Sequence, residues 1–275
     1  MIDEPLPGDL QAWEELVVVK LGGTTLDAGA ALLADIARAA ERRSLVLVHG
    51  GGKRLTEWLE RLGIESRFED GRRVTDDDAL DAALAVLGGL VNGELVATLN
   101  RAGLRAVGLT GIDGGLLAAM RVERLGRVGR VSGANPSVLY ALIAGGLLPV
   151  VAPLALDEDG VICNVNADEA AAGLAGALGV RLVLLTDTHG VLDGRGGTLP
   201  ELDELSAEQL ITEGVISGGM VPKVEGALAA LRSGAPEVVI ADGRQPGALG
   251  RALDDPAFGT RLRGAGADGV AGVTT

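Results

Sequence analysis

Short apolar runs alternate with longer amphipathic stretches along most of the chain. Leu16 to Val19, Ser44 to Val48, Leu104 to Leu109, Leu147 to Ala152, Arg181 to Leu185 and Glu237 to Ala241 are mainly apolar and strand-sized. That pattern predicts strands buried on both faces of a sheet. Helical patterns lie between them: about Asp27 to Arg43, Lys53 to Leu62, Asp77 to Ala102, Pro136 to Ala144, Glu169 to Leu178, Ser206 to Glu213 and Lys223 to Leu231. Ser66 to Val74 reads as an exposed hairpin, Leu116 to Val131 as hairpin-like, and Asp157-Glu158-Asp159-Gly160 as a turn. Gly259 to Leu262 reads as a last edge strand. Residues 1–15 form a polar lead-in with a turn of helix at Leu10 to Glu15, and the small residues from Gly264 to Thr275 predict a frayed end. Strands alternating with helices give an α/β fold class with a largely parallel sheet. No linker and no internal repeat interrupts it.

The polar chemistry gathers where strands end. Lys20-Leu21-Gly22-Gly23 follows the first strand, and His49-Gly50-Gly51-Gly52-Lys53 follows the second. Glycines there let a backbone approach an anion closely, with N–H groups and a helix N-terminus pointing at it. A tight turn accounts for one glycine or two; three in a row point to a functional cradle. Neither loop is a Walker A motif or a GxGxxG fingerprint. His49 reads as structural.

Asn164-Val165-Asn166-Ala167-Asp168 places three polar groups in five residues just ahead of a helix. A helix cap explains one of them, Asn166 or Asp168. In an extended stretch the alternation would put all three on one side. A buried cluster of that kind is costly without partners, so it suggests a site that needs positive charge from elsewhere. Arg72-Arg73 in the hairpin is either a solvated pair or a carboxylate ligand. Thr186 and Asp187 stand beyond the end of another strand, where open α/β sheets bind ligands.

Composition narrows the choice. The chain has 275 residues, 47% of them apolar, with 43 glycines and a net charge of −14. An acidic chain with two Trp, one Tyr and two Phe is a poor nucleic-acid binder. No run of 18 apolar residues and no secretory leader is visible, and Cys163 has no second cysteine to pair with. These features predict a cytoplasmic protein with no membrane partner, in which Cys163 is a small buried residue. Against 21 arginines stand only Lys20, Lys53 and Lys223, and the first two lie in the glycine loops. In an arginine-biased chain a retained lysine marks a place for a compact point charge.

Taken in order, seven motifs resemble those of the amino-acid kinase family, in particular the branch acting on N-acetyl-L-glutamate. They are Val18-Val19-Lys20-Leu21-Gly22-Gly23, Val48 to Gly52, Arg73-Val74-Thr75, Gly108 to Gly115, Asn164 to Asp168, Leu185-Thr186-Asp187 and Gly218-Gly219-Met220-Val221-Pro222-Lys223. The resemblance runs from Val17 to Leu262 and implies a three-layer sandwich around the sheet. It implies an N-terminal lobe, 1–165, for the acylated amino acid and a C-terminal lobe, 166–275, for ATP, in one continuous unit.

The implied reaction is transfer of a phosphoryl group from MgATP to the side-chain carboxylate, giving N-acetyl-L-glutamyl 5-phosphate, a step of arginine biosynthesis. A carboxylate with an ordinary pKa of about 4.3 is already ionised at neutral pH and needs no general base. What it needs is alignment and charge stabilisation. The resemblance assigns Lys20 and Lys223 as the cations, Asp168 as their organiser, and the N–H groups around Gly22, Gly23, Gly51 and Gly52 as phosphoryl donors. It assigns Arg73, Asn164, Asn166 and Gly50 to the amino-acid substrate, and Thr186, Asp187, Gly218, Gly219 and Met220 to the nucleotide. Magnesium is held mainly by ATP oxygens, with no protein metal cluster.

Three departures stand out: Lys53 after the glycine triplet, Arg72 where leucine is frequent, and Gly247 after Asp242-Gly243-Arg244-Gln245-Pro246. The short lead-in and Gly247 imply a homodimer that arginine does not inhibit. Two other readings remain on the same fold. One is a kinase for glutamate or aminoadipate attached to a carrier protein; the other is a non-catalytic ligand sensor, which would have little reason to keep Lys20, Lys223 and Asp168 together.

Overall fold

The strand β1 (Val17–Leu21) lies in the middle of an eight-stranded sheet. The computed structural model describes residues 16–23, 29–69 and 71–264. The expected lead-in at 1–15, the start of the first helix at Asp27 and the tail beyond Gly264 lie outside the described residues.

Along the chain the elements are β1, α1 (Ala30–Ala40), β2 (Leu45–His49), α2 (Gly52–Leu62), the short hairpin β3 (Phe68–Glu69) and β4 (Arg72–Arg73), α3 (Asp77–Ala83), a π-helical stretch (Leu84–Val91) and α4 (Asn92–Arg101). Then come β5 (Ala106–Thr110), β6 (Leu117–Arg121), β7 (Val128–Ala134), α5 (Ser137–Ala144), β8 (Leu148–Ala152), β9 (Leu154–Leu156), β10 (Ile162–Val165) and α6 (Ala167–Leu178). The chain closes with β11 (Arg181–Thr186), β12 (Glu201–Asp203), α7 (Glu204–Thr212), α8 (Val221–Arg232), β13 (Glu237–Asp242), α9 (Ala248–Asp254) and β14 (Thr260–Arg263).

The sheet order is β12-β14-β13-β11-β1-β2-β8-β5, and every pair is parallel except β13 with β14. A smaller sheet closes β10-β7-β6-β9 on itself. Because successive strand residues point to opposite faces, β1 serves two cores. Val17, Val19 and Leu21 pack with α1, α4 and α9; Val18 packs with α6 and α8 on the other face. Helices on both faces of a largely parallel sheet make the three-layer α/β sandwich. The sheet runs unbroken through both expected lobes, since β1 pairs with β11 as well as β2.

Several expectations change in three dimensions. β14 is not the edge strand; β12, too short and polar to read as a strand, pairs outside it through Leu202↔Leu262. The helical region from Asp77 is continuous, but its centre is π-helical where Gly88 and Gly89 loosen the backbone. Its most apolar 18-residue window has a mean hydropathy of 1.7, enough by length and composition alone to cross a membrane. Here it buries Leu80, Ala83, Val86, Leu87, Val91 and Leu99 within the fold. α9 carries too weak a pattern to be seen in the sequence; the carboxylate of Asp35 on α1 fixes its start by accepting the Leu249 N–H at 2.6 Å.

Candidate active site

Both glycine loops and the Thr186-Asp187 turn leave the same end of the sheet, beyond the C-terminal ends of β1, β2 and β11. The chain passes from β1 to β2 on one side and returns much later to β11 on the other. That reversal of strand order opens a crevice at the strand ends. Lys20 follows Val18 on its face of β1 and so points toward α6 and α8, which supply Asp168 and Lys223.

The α6 start explains the Asn164 to Asp168 cluster. Asn164 lies on β10. Asn166 is the N-cap, its Oδ1 accepting the Asp168 N–H at 2.7 Å. Asp168 is already inside the helix. The three groups therefore do not line one side of an extended strand: the chain turns into a helix at Asn166, and the alternation ends there. Asp168 instead faces the lysines, with the Lys20 ammonium 2.7 Å from Oδ1 and Lys223 Nζ 3.3 Å from Oδ2. Lys20 and Asp168 are both buried. Burial alone would push the Asp168 carboxyl up; Lys20 and then Lys223 outweigh it and hold the group below the usual carboxylate range. Two cations and one anion thus form a cluster of net positive charge.

A cavity of about 160 Å³ opens beside it, bounded by Gly50, Gly51, Gly52, Arg73, Asn164 and Asn166 among others. Arg73 is not solvated, as the exposed-hairpin reading would have it. It is buried; Nη2 donates to Gly52 O at 3.0 Å and Thr56 Oγ1 at 2.8 Å, Nη1 donates to Ser66 Oγ, and its carbon sits 4.5 Å from the Phe68 ring centre. Thr75 donates to Arg73 O at 2.8 Å and accepts from Asn164 Nδ2 at 3.3 Å, which ties the hairpin to β10. Arg72 is paired as well, with Glu169 at 2.6 Å. Ser66, Thr56 and Glu169 carry no sequence signal of their own, since they act only through partners distant in the chain.

A second cavity, about 390 Å³, is lined by Asp187, Gly219, Met220 and Lys223, with Val191, Leu192, Val215 and Ile216 as an apolar wall. Thr186 and Gly218 are not part of this lining, though each is next in the chain to a residue that is; Thr186 Oγ1 donates to Asp187 Oδ1 at 3.2 Å. The apolar wall was hidden in the sequence among loop residues without period. Lys223 belongs both to this cavity and to the Asp168 cluster, while Asn166 and Ala167, just before Asp168, belong to the smaller cavity.

The glycine loops differ in what their N–H groups can do. The Gly22 N–H donates to Leu185 O at 3.1 Å and the Gly50 N–H to Leu21 O at 3.0 Å, so both serve the fold. Gly23, Gly51 and Gly52 are the loop residues whose N–H groups take no partner among the described residues. Gly51 has φ 151°, a conformation strained for any other residue, and a Cβ there would also push on Leu87 Cδ2 at 2.7 Å. Cys163 is fully buried and burial pushes its thiol up, which makes it inert. No three acidic, histidine or cysteine side chains converge as a metal site among the described residues.

Residues 15–242 match the model of the amino acid kinase family. The chain is 49% identical over 252 residues to the acetylglutamate kinase of Solibacter usitatus, covering 90% of this chain and 98% of that one. It is 47% identical over 234 residues to the acetylglutamate kinase of Gluconacetobacter diazotrophicus, covering 80% and 75%. Among solved structures, smu.665 from Streptococcus mutans superposes with a TM-score of 0.78 at 28% identity, over 90% of this chain and 98% of that one. With its motifs in order and its sheet, loops and charged cluster in place, this chain belongs to the amino acid kinase family.

Proposed function

We propose that the protein transfers the γ-phosphoryl group of ATP to the side-chain carboxylate of N-acetyl-L-glutamate, the acyl-phosphate-forming step of arginine biosynthesis. The observation that carries this reading is Asp168 clamped between Lys20 and Lys223, with the larger cavity at Lys223 and the smaller one at Asn166 and Ala167, the residues just before Asp168. The likeness to acetylglutamate kinases over nine-tenths of the chain supports the choice of substrate.

The cavity bounded by Arg73 and Asn164 takes the amino acid, with Arg73 turned to its α-carboxylate and Asn164 to its amide. The cavity with the apolar wall takes the adenine and ribose, which puts the phosphates against Lys223. Residues 1–165 then serve mainly the amino acid and 166–275 mainly ATP. Lys20 and Lys223 neutralise the charge on the moving phosphoryl group, and the N–H groups of Gly23, Gly51 and Gly52 hold its oxygens. Asp168 keeps two like charges together and does not take a proton. Because its oxygens are committed to the lysines, magnesium enters on the ATP oxygens.

We further propose a cytoplasmic homodimer, insensitive to arginine. β5 is an open sheet edge, and only 39% of the apolar window in the neighbouring helical run is buried within one chain. A second copy covering both fits these features.

An ATP-dependent hydroxamate assay tests the activity with N-acetylglutamate, glutamate, aspartate and aminoadipate side by side. N-acetylglutamate should be used far faster than the rest. Equal rates with free glutamate would reject the assignment, because a free α-amino group brings a cation to Asn164.

A further inference from the structure

His49 ends β2 immediately before the Gly50–Gly52 loop, yet the reaction above gives it nothing to do. It is completely buried, and burial lowers its pKa, so the ring is neutral near pH 7. Each nitrogen has one partner. Nε2 faces the Asn92 side-chain nitrogen at 3.1 Å; that nitrogen is a donor, shared with Val150 O at 2.9 Å and Leu109 O at 3.3 Å, so Nε2 accepts. The ring proton is then on Nδ1, which donates to Gly50 O at 2.6 Å.

That hydrogen bond sets the direction of one peptide plane. A trans peptide points its C=O and its N–H in opposite directions, and no peptide among the described residues is cis. Leu45, Leu47 and His49 share the face of β2 that packs on α1 and α4, opposite to the face carrying Lys20. Drawing Gly50 O toward His49 therefore turns the Gly51 N–H toward the Lys20 side. Gly51 also bounds the amino-acid cavity. Asn92 follows directly on the π-helical stretch that presents Leu87 to Gly51. It is wedged over Gly108 of β5, where a Cβ would lie 2.0 Å from Asn92 Oδ1.

Resting on the proposed phosphoryl transfer, we infer that His49 is a positioning residue, a neutral donor seated by Asn92 that locks the Gly50–Gly51 peptide so that the Gly51 N–H faces the moving phosphoryl group. The histidine never exchanges a proton with substrate. The contribution appears in the transition state, where charge on the phosphoryl oxygens is greatest, and little of it in ground-state binding.

The test compares His49→Asn, which keeps a donor near the Nδ1 position, with His49→Leu, which keeps bulk and loses it. Removing an oxyanion-hole donor outright costs on the order of 100-fold. A donor left unaimed should cost at least about tenfold in kcat, with both KM values within about threefold. In His49→Leu the affinity for ADP–aluminium fluoride with magnesium should fall in parallel with kcat while that for AMP-PNP holds; His49→Asn should stay near wild type with an unmoved acid limb of its pH profile. The ratio of the two nucleotide affinities needs no knowledge of the acceptor. A wild-type protein that makes no hydroxamate from N-acetylglutamate would thus sink the substrate assignment and leave this ratio to judge His49. Gly108→Ala, which pushes Asn92 off His49 without touching the ring, should lower the same ratio and serves if His49→Leu does not fold. An unchanged ratio in the folded variants, or His49→Asn as impaired as His49→Leu, would overturn the inference.

Discussion

Replacing Lys20 by arginine preserves charge and tests whether position matters. The Lys20 ammonium is buried on the central strand, 2.7 Å from Asp168 Oδ1, with β2 on one side and β11 on the other. Arginine is longer and ends in a planar fork that suits a bidentate partner, whereas lysine ends in a compact point charge. A guanidinium built from the same Cα overshoots the present Nζ position by roughly the length of one bond, about 1 Å or more. It must then displace either Asp168 or the phosphoryl group. A misplacement of about 1 Å can cost on the order of 100-fold in rate. Steady-state hydroxamate kinetics should therefore show kcat down at least roughly 100-fold with ATP binding weakened less, and circular dichroism should show the fold retained. Lys53→Arg is the control, because Lys53 is exposed on the first turn of α2. Near-normal turnover in Lys20→Arg, or an equal loss in Lys53→Arg, would refute this placement of the centre.

Arg73→Lys forfeits hydrogen bonds of a charged group, each worth about 1.5–3 kcal/mol, so KM for N-acetylglutamate should rise at least about tenfold while KM for ATP stays put. Asp168→Asn leaves two ammonium groups facing each other without a counter-charge; urea unfolding should show a loss of about 3 kcal/mol at neutral pH. Since the folded pKa of Asp168 is depressed, its contribution is present above the ordinary value of about 3.9 and disappears as pH falls through the folded value. The acid dependence of wild-type stability should accordingly be shallower in the variant; identical slopes would show that the carboxylate is not linked to folding. Light scattering should give a mass of two chains, unchanged by L-arginine, and a monomer or hexamer would contradict the proposed assembly.

How much of this was legible in the chain depends on how local the cause is. β1, β2, β8, β11 and β13 are built on short, mainly apolar runs, the pattern of strands covered on both faces. The sequence therefore determined the α/β class and the placing of glycine loops at strand ends, because both follow from composition over a few residues. It also singled out Lys20, Lys223 and Asp168, and the family resemblance gave Asp168 the task of holding the two lysines, though no local pattern brings them together. Their meeting depends on strand order: β1 lies against β11, and α6 and α8 cover the same face. The alternation of Asn164, Asn166 and Asp168 misled because strand periodicity stops at the Asn166 cap, where Asp168 turns to the lysines. Arg72 and Arg73 read alike in sequence and part in the fold, one to Glu169 and the other to Gly52, Thr56 and Ser66. β12 and α9 could not be read, since each is held by a strand or a carboxylate from far along the chain and hardly at all by its own pattern. Above all, only the tertiary structure aligned Asn92, His49 and Gly50, because the direction of a peptide plane is set by what packs behind it, and no local propensity records that.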